Sequence, residues 1–250
     1  IYDWKGSIGA LEERKPLRNL WGYHQTRGLG YHEYFLFCED MGAEPVPVVA
    51  AGVPCQNSGT CSHHSVGELG CGGQQGGIPM EEMPQYVQDV LDLIEYANGD
   101  ATTSYWGALR AANGHAKPFN LQYIGLGNEN WGAVYERNFK ALYKAVKEKY
   151  PQITVISSAG TYLEGDAYDG NMAWIDREFK DTVVDEHYYT YDGYLFDHND
   201  RYDSFDRSGA HVFVGEYAAT SAGIGTIETK SNIWEAVEEA SYLTGLERNG

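Results

Sequence analysis

The sequence contains no long hydrophobic run. None of its apolar stretches approaches the roughly 18 residues of a membrane-spanning helix, so we expect no membrane span. The first residues, Ile1-Tyr2-Asp3-Trp4-Lys5, include neither an initiator methionine nor the basic and then apolar pattern of a signal peptide. We therefore expect a mature, trimmed or excerpted chain. Hydrophobic residues make up 42% of it, which indicates a globular protein.

The sequence is also poor in positive charge. Its 18 lysines and arginines stand against 36 aspartates and glutamates, which gives a net charge of −18. Such a surface repels phosphate backbones and acidic polymers, so nucleic acids are excluded as partners and a neutral substrate is favoured. Aromatic residues are plentiful, with 20 Tyr and 6 Trp. Their flat faces suit sugar rings, although they also serve as ordinary core packing.

Cys-x-x-Cys pairs are absent. Of the four cysteines, Cys38 lies in a helical pattern and is expected to be a core thiol. The other three share a glycine-rich segment with two adjacent histidines; these residues are Cys55, Cys61, Cys71, His63 and His64. A loop disulfide, free thiols and a zinc site are the three alternatives for this group. Adjacent histidines suit tetrahedral ligation poorly, so we predict no metal site.

Short apolar runs alternate with helical patterns along the chain. Runs bounded by Gly, Pro, Asn or Asp predict five strands: Ala43–Ala51, Leu121–Leu126, Ile153–Ser158, Val183–His187 and Val212–Val214. Periodic apolar positions predict five helices: Tyr31–Met41, Met83–Ala97, Tyr135–Tyr150, Asn171–Phe179 and Thr229–Leu246. Such alternation predicts an α/β fold with a parallel sheet covered by helices.

Two α/β architectures fit, an open doubly wound sheet and a closed (β/α)₈ TIM barrel. The doubly wound fold favours a phosphate-binding glycine loop, but Gly125-Leu126-Gly127-Asn128-Glu129-Asn130 lacks a third glycine at the required spacing. A barrel places its chemistry just past the C-terminal ends of its strands, where Glu129 and Glu216 both lie. We therefore predict a barrel. Only five or six of the eight strand–helix units are countable, so residues 1–250 are expected to form a partial catalytic barrel that lacks the early strands and the last one.

Residues 52–82 form a long segment, rich in Gly, Ser, Cys and His in its first part. Loops of this length in a compact domain are usually functional or disordered. Because the segment follows the strand Ala43–Ala51, we expect it to overhang the active face as a wall of the substrate groove.

Two glutamates are candidates for glycosidic bond cleavage, which needs carboxyl groups on both sides of the anomeric carbon. Glu129 follows one apolar strand, and Glu216 follows another after Val212-Phe213-Val214-Gly215. A carboxylate is costly to bury unpaired, so both should face the polar mouth of the barrel. A salt-bridged or capping role is the alternative for either glutamate alone; the occurrence of both at strand ends favours catalysis.

Four further residues are candidates for substrate binding. Asn128 can hydrogen-bond a sugar hydroxyl next to the reacting carbon, and Trp131 offers a stacking surface. Strand alternation puts His187 and Tyr189 on one side, toward the nucleophile. The alternative for these two is a satisfied core histidine and a packed tyrosine.

Several segments together resemble the α-L-arabinofuranosidases of glycoside hydrolase family 51, within the superfamily of retaining (β/α)₈ glycosidases. They are Tyr2-Asp3-Trp4-Lys5, Ile8-Gly9, Glu12-Glu13-Arg14, Glu39-Asp40-Met41-Gly42-Ala43-Glu44-Pro45, Gly125-Leu126-Gly127-Asn128-Glu129, Asp185-Glu186-His187-Tyr188-Tyr189 and Gly215-Glu216-Tyr217-Ala218. The resemblance runs over nearly the whole chain, and the combination of segments is specific although each one alone is not.

This resemblance implies a retaining, exo-acting enzyme that releases terminal arabinofuranose from arabinoxylan, arabinan or related oligosaccharides without a cofactor. It implies that Glu129 is the general acid/base and Glu216 the nucleophile, with Asn128, His187 and Tyr189 lining the arabinose subsite. The two carboxyl groups of a retaining enzyme are expected about 5–5.5 Å apart. Further barrel strands and a β-sandwich domain are implied for the full-length protein.

Two other interpretations stay open. Another retaining barrel glycosidase, such as a β-xylosidase or an endo-glucanase, has the same pair of carboxylates. A non-catalytic carbohydrate-binding remnant would explain the missing strands. For the cellular location we expect a secreted or periplasmic protein; a disulfide in the cysteine-rich loop would require an oxidising compartment.

Overall fold

The computed structural model describes residues 3–19, 23–57, 77–161, 163–191, 193–219 and 233–250. The chain divides into two compact units, Ile1–Gly160 and Thr161–Gly250. Within the described ranges, no helix is both long enough and apolar enough to cross a bilayer.

The first unit contains a three-stranded parallel sheet and a short antiparallel hairpin. The hairpin pairs β1 (Leu17–Arg18) with β2 (His24–Gln25). In the sheet, β4 (Tyr123–Leu126) lies between β3 (Val48–Val49) and β5 (Thr154–Ser158). The parallel arrangement predicted for the strands is therefore present in this unit.

Strand β3 is much shorter than the predicted run Ala43–Ala51. Its register places Val48 opposite Gly125. Pro45 and Pro47 precede it, and proline has no N–H to donate to a strand ladder. Pro47 therefore contributes only its carbonyl, which accepts from the N–H of Gly125 at 2.9 Å. A Cβ on Gly125 would lie 2.8 Å from a methyl group of Val48, so this close approach of the two strands requires glycine.

The described residues of the first unit form four α-helices: α1 (Tyr31–Met41), α2 (Met83–Asn98), α3 (Tyr105–Ala112) and α4 (Gly132–Lys149). The bounds of α1 are those predicted, and α2 carries a proline in its first turn as expected. Helix α3 was not predicted; Ser104 caps its N-terminus with a side chain that accepts a hydrogen bond from the Gly107 N–H.

Helix α4 supplies much of the core of this unit. Phe139, Leu142 and Val146 recur on one face and are fully buried. Complete burial of each such side chain contributes about 1.5–3 kcal/mol, so this apolar stripe holds the helix in place. Helix α2 packs against both α3 and α4.

The second unit is built on two parallel strands, β6 (Val183–Thr190) and β7 (His211–Ala219). Helices α5 (Asp166–Glu178), α6 (Tyr194–Asp197) and α7 (Ile233–Asn249) accompany them. A cluster of buried residues forms the core: Tyr188, Leu195, Tyr202, Ala219 and Tyr242. Helix α7 packs against β7 and α6.

The position of the site residues within these elements differs from the prediction. Both β6 and β7 extend past their predicted ends, so Tyr189 and Glu216 lie inside strands and not beyond them. His187, predicted as the last residue of its strand, lies inside β6. Glu129 does lie past its strand, because β4 ends at Leu126.

Some predictions concern residues that lie outside the described ranges. The long loop 52–82 is described only at 52–57 and 77–82, so Cys61, Cys71, His63 and His64 fall outside. The start of the last predicted helix, at Thr229, does so as well. Cys38, predicted to be a core thiol, is only half-buried on α1, because it lies between the buried and exposed faces of that helix.

Candidate active site

Glu129 lies in a tight turn between β4 and α4. The turn begins at Gly127, where φ is +100° and an added Cβ would lie 2.6 Å from the ring of Tyr135. Glu129 itself adopts the left-handed region, with φ of 51°. This conformation costs a non-glycine residue about 1–2 kcal/mol and persists only where surrounding contacts enforce it.

Asn130 supplies those contacts. Its side-chain Oδ1 accepts from the Asn128 N–H at 2.8 Å, and its Nδ2 donates to the carbonyl of Pro54 at 2.7 Å. Its own N–H donates to the hydroxyl of Ser158, at the end of β5. Asn130 is fully buried, so all three hydrogen bonds form away from water and fix the turn that carries Glu129.

The segment after β3 contacts the carboxyl group of Glu129. Gln56 donates from Nε2 to Oε2 of Glu129 at 2.8 Å, and the thiol of Cys55 lies 3.3 Å from the same oxygen. Gln56 and Asn57 are, like Glu129, in the left-handed region, with φ of 56° and 49°. Glu129 is only 6% exposed, so these two donors occupy one side of a nearly buried carboxyl group.

Asn128 and Trp131 flank Glu129 and contact the same segment. Asn128 donates from Nδ2 to the sulfur of Cys55 at 3.1 Å. The carbonyl of Trp131 accepts from the side chain of Asn57 at 2.9 Å. Both residues are half-buried. The structure therefore brings the three predicted residues of the first unit, Asn128, Glu129 and Trp131, into one turn.

Glu216 owes its orientation to an irregularity between β6 and β7. The register pairs Glu186 with Val214 and then His187 with Glu216, so Gly215 is an extra residue in β7. Successive residues of a strand point to opposite faces, and one inserted residue therefore reverses the face of everything after it. If Gly215 were a regular strand residue and not an inserted one, Glu216 would share the face of Val212 and Val214, which pack against the core of the second unit.

The inserted residue brings Glu216 to the face of His187 and Tyr189. The hydroxyl of Tyr189 donates to Oε2 of Glu216 at 2.9 Å, and Nδ1 of His187 lies 3.6 Å from that oxygen. The side chain of Glu216 is 43% exposed, whereas that of His187 is 2% exposed. A reachable carboxylate, oriented by an aromatic hydroxyl and a buried imidazole, is suited to nucleophilic attack.

The opposite face of β6 carries a buried carboxylate, Glu186. The hydroxyls of Tyr168, Tyr188 and Tyr202 donate to it, and the guanidinium of Arg201 lies 3.6 Å away. Burial and the adjacent charge of Glu186 raise the pKa values of the three tyrosines, which therefore remain neutral donors. This group satisfies an otherwise costly buried charge and anchors the strand that carries His187.

Four contributing residues were not singled out from the sequence. No sequence motif pointed to Gln56 or Asn130 as site residues, and Cys55 was considered only together with the other loop cysteines. Asp185, which contacts His187 through Nε2 at 3.1 Å, belonged to a quoted segment but had no assigned role. Asn130 directly follows Glu129, which is the one signal in the sequence that points to it.

Comparison with known protein families decides the classification. The family model described as "Alpha-L-arabinofuranosidase 1 domain" matches residues 1–207. The chain belongs to this α-L-arabinofuranosidase family. The resemblance to family 51 that the sequence motifs indicated is thereby confirmed.

Curated α-L-arabinofuranosidases align with almost the whole chain. An "Extracellular exo-alpha-L-arabinofuranosidase" of Streptomyces chartreusis is 42% identical over 99% of this chain and 27% of its own length. "Alpha-L-arabinofuranosidase 1" of Arabidopsis thaliana is 34% identical over 99% of this chain and 32% of its own length. The chain thus spans about a third or less of these relatives.

Solved arabinofuranosidase structures share the fold. An arabinose-bound family 51 enzyme, MgGH51, superposes with a TM-score of 0.73 at 28% identity, covering 99% of this chain and 36% of that one. The Thermotoga maritima enzyme in its arabinose complex has a TM-score of 0.67 at 19% identity, covering 99% and 50% respectively. The predicted fold class, an incomplete (β/α)₈ barrel, is confirmed.

Proposed function

We propose that the complete protein is a retaining, exo-acting α-L-arabinofuranosidase. Its substrate would be terminal arabinofuranose on a neutral glycan of the arabinoxylan or arabinan type. Membership of the α-L-arabinofuranosidase family supports the reaction class. The observation that carries the proposal is the environment of Glu216, an exposed carboxylate whose Oε2 is held by Tyr189 and lies beside His187.

In the first step, Glu216 is the nucleophile. A carboxylate oxygen of Glu216 forms a bond to the anomeric carbon as the bond to the leaving-group oxygen breaks. Glu129, as general acid, transfers its proton to that oxygen, so that the aglycone leaves as an alcohol. The product of this step is an arabinosyl ester of Glu216.

In the second step, Glu129 acts as general base. A water molecule attacks the anomeric carbon, its proton passes to the Glu129 carboxylate, and the ester bond to Glu216 breaks. Arabinose leaves with its original configuration, and both glutamates regain their starting protonation states. No metal or cofactor enters this sequence.

The contacts of Glu129 support the acid role. Gln56 and Cys55 both lie at Oε2, which suits the carbonyl oxygen of a protonated carboxyl group because that oxygen only accepts. We assign the transferable proton to Oε1. The buried hydrogen bonds of Asn130 would hold this oxygen in one direction during both steps.

The remaining site residues are proposed to bind the sugar. Asn128, His187 and Tyr189 would line the arabinose subsite, and Trp131 would stack on a sugar ring. The loop 52–82 would form a wall of the substrate groove, since residues 55–57 at its start already contact the turn of Glu129. A secreted or periplasmic location is proposed, and the Streptomyces relative is described as extracellular.

The test is hydrolysis of an aryl α-L-arabinofuranoside by the full-length protein, with the product anomer followed by NMR. We expect release of arabinose whose initial configuration is retained. Hydrolysis of aryl pyranosides alone would favour a β-xylosidase or an endo-glucanase. Glycan binding by a folded protein without hydrolysis of any substrate would favour a carbohydrate-binding remnant.

A further inference from the structure

Asp185 lies on β6, two residues before His187 and on the same face. It is 8% exposed, and both of its carboxylate oxygens are engaged. Oδ2 lies 3.1 Å from Nε2 of His187, while Oδ1 accepts from the N–H of Gly215 at 2.9 Å. A nearly buried carboxylate thus joins the histidine beside Glu216 to the inserted residue that precedes Glu216.

Gly215 leaves the space that this carboxylate occupies. A Cβ added at Gly215 would lie 2.3 Å from Oδ1 of Asp185 and 3.0 Å from its Cγ. The aspartate side chain is short, so it could not move aside and still reach His187. Glycine is therefore required at position 215 by the position of Asp185, and not by a left-handed backbone conformation.

The ring of His187 has a carboxylate at each nitrogen. Asp185 lies at Nε2, and Oε2 of Glu216 lies 3.6 Å from Nδ1. A neutral imidazole has one N–H and can donate to only one of the two carboxylates; the imidazolium can donate to both. Arg201 and Glu186 pair with each other on the opposite face of β6. Their charges balance there, away from the face that carries His187.

We propose that Asp185 is a positioning residue that keeps His187 doubly protonated, with its Nδ1–H directed at Oε2 of Glu216. The proposal rests on the role of Glu216 as nucleophile. His187 and Tyr189 then both hold Oε2, and Oε1 is the oxygen that attacks the anomeric carbon. When Glu216 becomes an ester in the first step, its charge disappears, and Asp185 keeps the ring oriented for the second step.

The test uses Asp185→Asn in the full-length protein. Asparagine keeps the shape of the side chain, and its Oδ1 can still accept from Gly215. Its Nδ2 is a donor, however, so Nε2 of His187 must become an acceptor and the ring must become neutral with its proton on Nδ1. The Nδ1–H can still donate to Glu216, but it does so from a neutral ring, and this hydrogen bond is weaker than the one from an imidazolium. We expect kcat for an aryl α-L-arabinofuranoside to fall about 10-fold with KM nearly unchanged, because the nucleophile is held less firmly.

The charge of His187 is read separately by ¹⁵N NMR of histidine-labelled protein, with the signal assigned from the spectrum of His187→Gln. We expect a doubly protonated ring in the unaltered enzyme and a neutral ring in Asp185→Asn. A neutral His187 in the unaltered enzyme would overturn the proposal even if no variant folded. This NMR result does not depend on the substrate, so it tests the proposal separately from the proposed arabinofuranosidase activity.

Two more variants complete the test. Gly215→Ala keeps Asp185 but displaces its carboxylate, so we expect the same loss of kcat as in Asp185→Asn. Asp206→Asn is the matched control; this exposed aspartate caps a turn at Ser208, and its loss should leave kcat unchanged. Unaltered kcat in a folded Asp185→Asn variant would contradict the proposal.

Discussion

Glu129 stands at a backbone position that is unfavourable for glutamate. Its φ of 51° is stabilised by the hydrogen bonds of Asn130, which is fully buried and contacts three separate segments of the first unit. Strained conformations of this kind are found at functional sites, where they fix the direction of a reactive group. The strain at Glu129 thus agrees with a residue whose proton must be delivered to one atom.

Replacement of Glu129 by alanine should affect substrates according to their leaving groups. A poor leaving group needs protonation as its bond breaks, so kcat/KM for natural oligosaccharides should fall by about 10²–10⁴-fold. An activated aryl leaving group needs little protonation, so the first step should be nearly unaffected. The measurement is a comparison of kcat/KM across aryl arabinofuranosides of graded leaving-group acidity.

Glu148→Ala provides the control for this series, since Glu148 is an exposed residue on α4 whose side chain is 68% accessible. It should behave like the unaltered enzyme with every substrate. Equal losses for activated and poor leaving groups in Glu129→Ala would mean that Glu129 is not the general acid.

Among the elements, α1 is held by a partly buried ion pair at its first turn. Arg14 donates two hydrogen bonds to Glu33, at 2.8 and 2.7 Å, and Glu33 also accepts from the N–H of Gly30, which caps the helix. Burial alone would raise the pKa of Glu33, but the hydrogen bonds from Arg14 and Gly30 outweigh it and lower the pKa below 4.5. A lowered pKa means that the folded helix favours the ionised carboxylate.

This arrangement gives α1 a pH-dependent local stability. The contribution of Glu33 is complete above about pH 4.5 and is lost as the pH falls through its lower folded-state pKa. We expect Glu33→Gln to destabilise α1 by about 1.5–3 kcal/mol at pH 7, because the charged hydrogen bonds to Arg14 are lost. Amide hydrogen exchange of the α1 peptide should therefore be faster in the variant.

The difference in exchange rate between Glu33→Gln and the unaltered protein, measured at matched pH, should become smaller in acid. There, Glu33 is protonated in both the folded and the unfolded protein, so it no longer stabilises α1 by its charge. Asp40→Asn, an exposed change on the same helix, should leave exchange unchanged. Equal exchange in Glu33→Gln and the unaltered protein at pH 7 would contradict this account of α1.

The sequence allowed the larger elements to be predicted because their apolar spacing is regular. Helix α1 has the predicted bounds, and the apolar stripe of α4 lies where periodicity put it. Helix α3 was missed because it is short and contains Gly107, which normally disfavours a helix. There, a Cβ would lie 2.5 Å from the carbonyl of Gly99, so close packing and not helix propensity selects the glycine.

The arrangement of side chains around Glu216 could not be predicted from the sequence. Alternation along β7 alone gives Glu216 the face of Val212 and Val214, and only the irregular register with β6 reverses it. The insertion at Gly215 depends on the reach of Asp185 from a neighbouring strand, which is a contact between residues far apart in the chain. Local patterns identify Glu216 but do not define its surroundings.

At the scale of the whole molecule, charge and family membership both agree with the neutral glycan substrate that we propose. With a net charge of −18 the protein repels acidic polymers, and the family to which it belongs is that of α-L-arabinofuranosidases. The chain spans 27% and 32% of two curated relatives, so activity is a property to be measured on the full-length protein.

The most direct test of the catalytic assignment is to trap the glycosyl-enzyme in full-length Glu129→Ala. With an activated aryl α-L-arabinofuranoside the first step remains fast, while the second lacks its general base, so the ester should accumulate. Peptide mass spectrometry should then find one pentosyl group on the peptide that contains Glu216, at Glu216 itself. A pentosyl group on another carboxylate, or burst-free release of arabinose with inverted configuration, would contradict the account.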